Sequence, residues 1–106
     1  MSVPISVPDD VLPRCKGHVE SPKLVRQVYA QMTPDAMREK VNGSVFLRGV
    51  VDRNGVVRDI RIVQSLESTL DEAARKAFAQ WEFRPGTCDG EPAAAGITVQ
   101  MAFTVR

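Results

Sequence analysis

SVFLRGVVDRNGVVRDIRIVQS, residues 44–65, holds two alternating apolar runs on either side of an Asn54-Gly55 pair. In the first run Val45, Leu47, Gly49 and Val51 alternate with Phe46, Arg48 and Val50, the period of a strand buried on one face. Asn and Gly tolerate the positive φ that both central positions of a type I′ turn demand, so the pair predicts a hairpin with a two-residue loop. That loop sets Leu47 opposite Ile62 and Gly49 opposite Ile60. The apolar residues of both strands then land on one side.

Working outward, residues 68–83 carry Leu70, Ala73, Ala74, Ala77, Phe78 and Trp81 at the 3.6 period of an amphipathic helix. Thr69 and Glu72 match a capping box, and Asp71 with Arg75 and Glu72 with Lys76 are i, i+4 pairs. Arg84-Pro85-Gly86 ends the helix, and a loop through Cys88, Asp89, Gly90 and Pro92 follows. In the last strand, residues 97–105, Ile97, Val99, Met101, Phe103 and Val105 alternate with Thr98, Gln100, Ala102 and Thr104.

On the other side of the hairpin, Thr33 is a suitable N-cap, Pro34 fits the first helical position and Asn42-Gly43 is a stop. These predict a short helix with Met37 and Val41 facing inward. Residues 23–29 have the β-forming character of a short strand. Pro4, Pro8, Pro13 and Pro22 make residues 1–22 an extended Pro-rich arm or linker end, which leaves residues 23–106 as one domain.

The elements assemble into an α+β fold: a small antiparallel sheet of three main strands, plus the short N-terminal strand, with two helices on one face. The expected strand order is 57–65, 44–52, 97–105, which makes the last strand an edge. A bare edge offers unpaired N–H and C=O groups to another strand, and residues 97–105 carry none of the charges, prolines or bulges that blunt edges.

Composition narrows the function. Of 106 residues, 14 are Lys or Arg and 13 are Asp or Glu. The basic residues are scattered, which disfavours nucleic acid. No run approaches a membrane span or a signal peptide. Met1-Ser2 is equally compatible with a native start and with a piece cut from a longer, membrane-anchored parent.

Catalytic chemistry has little to work with. His18 is the single histidine and lies in the arm, so neither a Ser-His-Asp triad nor a His-rich metal site is expected. Asp71 and Glu72 read as a solvated helix face, and the glycines form no phosphate loop. Trp81 continues the apolar stripe and reads as core. Cys15 and Cys88 are a candidate disulfide, with two free thiols as the alternative.

Three stretches, GSVFLRGVVDRNGVVRDIRIVQS, LDEAARKAFAQWEFRPGTCDGEP and ITVQMAFTV, together resemble the C-terminal domain of the TonB family of energy transducers. The likeness lies in the Gly-x-Val strand, the Asp-x-x-Gly hairpin, Trp81, Phe83 and Pro85 at a helix end, the Asp-Gly-x-Pro loop and the alternating last strand. The family's common Tyr-Pro pair before the first helix is absent, with Met32-Thr33-Pro34 in its place. The resemblance implies a non-catalytic periplasmic domain without cofactor or metal, tethered by a linker and an inner-membrane anchor to a motor complex. It further implies that the domain grips the TonB box of outer-membrane receptors.

On this resemblance the receiving edge is Thr98, Val99, Gln100, Met101, Ala102, Phe103, Thr104 and Val105. The secondary contact is Val25, Arg26, Gln27, Val28, Tyr29, Ala30 and Gln31. The alternative is a structural module that pairs the same edge with a second copy to form a homodimer.

Overall fold

The computed structural model describes the backbone of residues 10–12 and the whole of residues 15–104. Its elements run β1 (Asp10–Leu12), β2 (Val19–Glu20), β3 (Lys23–Arg26), α1 (Pro34–Arg38), β4 (Gly43–Val51), β5 (Val57–Gln64), α2 (Ser68–Ala79), β6 (Glu82–Arg84), β7 (Gly86–Cys88) and β8 (Glu91–Phe103). This is the α+β arrangement of a small antiparallel sheet with two helices on one face. The three long strands lie in the order β8, β4, β5, and short strands extend the sheet to β2-β7-β8-β4-β5. β3 pairs with β6 in a separate two-stranded sheet.

The core fills the space between helices and sheet. Leu70, Ala74, Ala77 and Phe78 of α2 are buried with Val45, Leu47 and Val51 of β4 and Ile97, Val99, Met101 and Phe103 of β8. Trp81 is 1% exposed; its ring meets Phe78 edge-on at 5.3 Å and its Nε1–H donates to the Val28 carbonyl at 2.8 Å. That bond satisfies the indole's one donor inside the core.

The hairpin keeps the expected Leu47–Ile62 pairing by a different route. Asp52 donates its N–H to the Val56 carbonyl, and the Asp52 carbonyl accepts from Gly55. The loop is therefore the three residues Arg53, Asn54 and Gly55, with Gly55 alone at positive φ. This is a type I turn closed by a bulge rather than a type I′ turn. The extra loop residue pairs Val51 with Val57 and Val50 with Arg58, one step off the expected register. Asp59, at φ 53, then bulges and restores it.

Other boundaries also move. α2 stops at Ala79, and Glu82–Arg84 becomes a strand because β3 offers it pairing that periodicity cannot reveal. Its N-cap is Glu67, whose carboxylate accepts from the Thr69 and Leu70 amides, in place of the Thr69-Glu72 box. Asp71 accepts from the Leu66 amide at 3.0 Å, and Glu72 meets Arg75 at i, i+3. α1 is only five residues long, so Ala36 is buried and Met37 is 54% exposed, opposite to the expectation for Met37.

Candidate functional site

β8 is longer than the sequence pattern suggested and begins at Glu91. From Ile97 onward its side chains alternate as expected: Ile97, Val99, Met101 and Phe103 are buried, while Thr98, Gln100 and Ala102 are half-buried on the other face. Along one edge, β4 pairs with residues 95–103, from Val51↔Ala95 to Gly43↔Phe103. β1 pairs with residues 94–96, as Asp10↔Gly96, Val11↔Ala95 and Leu12↔Ala94. Ala95 and Gly96 thus have a partner on each side, so β1 lies on the edge opposite β4.

Ala95 and Gly96, which precede the edge that the sequence pattern implied at residues 97–105, are therefore interior. Along residues 97–103 no strand among the described residues pairs on the β1 side. In an antiparallel ladder alternate residues turn their N–H and C=O to each side, so this stretch has a row of backbone groups facing away from β4.

Of the expected receiving residues, Thr98 to Phe103 belong to β8. Thr104 follows the strand, and Val105 lies outside the described residues. The expected secondary contact divides. Val25 and Arg26 are in β3, paired with β6 and not with β8. Val25 and Tyr29 are 65% and 60% exposed, whereas Ala30 is buried in the core.

A second cluster gathers around the start of β8. Cys15 and Cys88 form a disulfide with Cα atoms 5.7 Å apart. The His18 amide donates to Asp89 Oδ1 at 2.8 Å, and the Asp89 amide donates to the His18 carbonyl at 2.8 Å. β2 pairs with β7 beside it, as Val19↔Cys88 and Glu20↔Thr87. Asp89 and Gly90 have φ of 51° and 84°, and Cys88 pairs with Glu91. The two-residue type I′ hairpin is here rather than at Asn54-Gly55. The bridge consumes both thiols, so the Cys15, Cys88 and Asp89 group lacks the thiolates a metal would need.

On the outer sheet face Arg48, Gly49, Val50, Asp59 and Arg61 line an open depression. Asp52 accepts from Arg58 Nε at 2.6 Å and from the Asn54 and Val56 amides. The Arg58 bond is the main cause holding its carboxyl below the usual range, with burial working the other way and the amides adding to it.

A small antiparallel sheet with two helices on one face and a long C-terminal strand defines the class of fold. The chain belongs to the family described as Gram-negative bacterial TonB protein C-terminal, whose profile matches residues 27–105. Domains of this family are non-catalytic. Over 74 residues the chain is 36% identical to Protein TonB of Xanthomonas campestris pv. campestris strain B100, and equally to that of strain ATCC 33913. The match covers 69% of this chain and 33% of each relative, so the chain spans about a third of their length. The solution NMR structure of Pseudomonas aeruginosa TonB CTD shares the fold, with TM-score 0.68 and 23% identity over 80% of this chain and 87% of that one.

Proposed function

We propose that the chain is the receptor-gripping domain of a periplasmic energy transducer whose parent is anchored in the inner membrane and coupled to a motor complex. It binds the TonB box of an outer-membrane receptor by strand addition along residues 97–103 of β8, on the edge away from β4. One observation carries this reading: β8 ends in a long run, residues 97–103, whose side chains alternate buried and half-buried, within a domain that the TonB C-terminal profile matches over residues 27–105. Strand addition draws affinity from main-chain hydrogen bonds and specificity from alternate side chains, so no reactive group is required.

The incoming strand is short, and such a footprint, below about 1,200 Å², suits a transient grip. Val25 and Tyr29, apolar and exposed, are the proposed secondary contact. The test is titration of the labelled chain with a TonB-box peptide while amide shifts are followed. Shifts concentrated in residues 98–104 are expected. No shift there at millimolar peptide removes the proposal.

A further inference from the structure

We propose that the Cys15–Cys88 bond is a redox-operated latch: opened by a dithiol, it releases residues 10–20 from the sheet and uncovers residues 94–96 of β8. The inference goes beyond receptor docking, and none of its readouts involves a receptor peptide.

Little besides that bond holds the segment down. β1 pairs with β8 at three residues, Asp10↔Gly96, Val11↔Ala95 and Leu12↔Ala94, and β2 pairs with β7 at two, Val19↔Cys88 and Glu20↔Thr87. Ladders so short return few net hydrogen bonds against the backbone entropy of every residue they order. Burial does not make up the difference between Cys15 and Glu20. Cys15 is half-buried, residues 16–20 are exposed, and the hydrophobic core takes no residue from this stretch. The reciprocal bonds of His18 and Asp89 complete the contact, and both residues are exposed to competing water.

The covalent link changes that balance. Leu12 ends β1 three residues before Cys15, and Glu91 begins β8 three residues after Cys88. A tether this short keeps β1 beside residues 94–96 at an effective concentration on the order of millimolar, so weak pairing stays formed. With the bond open, Leu24 in β3 is the first residue after β1, among the described side chains, that packs against the core. The rest of the sheet keeps its own support. β4 pairs with residues 95–103 of β8, and the family profile begins at residue 27, after the whole latch segment.

Opening is a thiol–disulfide exchange. One thiolate of the dithiol attacks a sulfur of the bridge and forms a mixed disulfide, and its second thiol then displaces the cysteine so held. Cys15 and Cys88 gain two electrons and two protons and end as thiols, while the dithiol ends as a disulfide. Neither cysteine belongs to the hydrophobic core, so the exchange does not require the interior to open.

The experiment follows the labelled chain by NMR, oxidised and then reduced with dithiothreitol. Cross-strand contacts between Val11 and Ala95 and between Val19 and Cys88 should be lost on reduction, while the Leu47–Val99 contact of β4 with β8 persists. Amides at residues 94–96 that face β1 should exchange about tenfold faster or more, beyond any change at Leu47. Cys15→Ser/Cys88→Ser without reductant should show the same pattern, and oxidised glutathione added after the dithiol is removed should restore the lost contacts in the parent. Retention of the Val11–Ala95 contact in the reduced chain or in the variant overturns the proposal. Loss of the Leu47–Val99 contact as well overturns it too, because the bond would then hold the whole fold rather than a latch. So does failure of the contacts to return on reoxidation.

Discussion

The hydroxyl oxygens of Thr33 and Thr69 lie 2.5 Å apart and join the N-termini of both helices. Thr33 caps α1 by accepting from the Ala36 amide at 3.2 Å. Thr69 donates its hydroxyl proton to Glu67 Oε2 at 2.5 Å, so the proton between the two threonines comes from Thr33. The chain runs from the Ala36 amide through two hydroxyls to a carboxylate, and each bond polarises the next.

Replacing Thr33 or Thr69 with Val should therefore cost about 1 kcal/mol each, the typical worth of a cap. The double variant should cost less than the sum by roughly 0.5 kcal/mol or more, because both act in one chain. Urea unfolding of the three variants measures this. Strict additivity would show that the helix ends are independent.

Acid should loosen the same region. The carboxyl of Glu67 is held below its ordinary value first by the Thr69 hydroxyl and then by the Thr69 and Leu70 amides. A carboxylate whose pKa falls on folding stabilises fully above its unfolded value, near 4.5 here, and loses that contribution as pH drops through the lower folded value. Asp52 behaves likewise from its unfolded value of 3.8, with Arg58 as the main cause. Urea midpoints should fall between pH 6 and pH 3, and Glu67→Gln should fall less steeply than the parent. An equal slope in both would remove Glu67 from the acid response.

Gly55 and Gly90 both have positive φ but differ in surroundings. A Cβ on Gly55 would lie 1.9 Å from the Phe83 carbonyl oxygen, whereas one on Gly90 meets nothing within 4 Å. Gly55→Ala should cost about 3 kcal/mol, combining backbone strain with displacement of β6. Gly90→Ala should cost about 1 kcal/mol from conformation alone. Thermal unfolding distinguishes them, and equal losses would mean the hairpin tip is not docked on β6.

Removing the bridge with Cys15→Ser/Cys88→Ser should destabilise by up to about 4 kcal/mol, the chain-entropy value for so long a loop. The sequence separation is 73 residues. A midpoint in denaturant equal to the parent's would show that the unfolded chain is not constrained by this link.

Much of the sheet was legible because its signals are local. The alternation of residues 97–103 reports a strand with one buried face, and the apolar pattern of residues 44–65 demanded that Leu47 oppose Ile62. The route was not legible, since a three-residue loop and the Asp59 bulge cancel without disturbing that pattern. The helix read over residues 68–83 was too long. Trp81 is buried, as the stripe implied, but pairing with β3 turns Glu82–Arg84 into a strand.

Glu67 was passed over as a cap because Thr69 has the commoner capping side chain. Thr69 instead donates its hydroxyl to the Glu67 carboxylate that forms the cap. Least legible was β1 on β8. Three residues bounded by prolines carry no periodicity, and only distant pairing makes them a strand.

The Cys15–Cys88 bond also has a mechanical consequence. A pull applied to the backbone ahead of residue 15 would cross directly to residue 88 and run into β8. Both helices and the β4–β5 hairpin lie inside the bypassed ring. Tension would thus reach β8 through one covalent shortcut and meet resistance there, where the strand's buried side chains and its pairing with β4 anchor it.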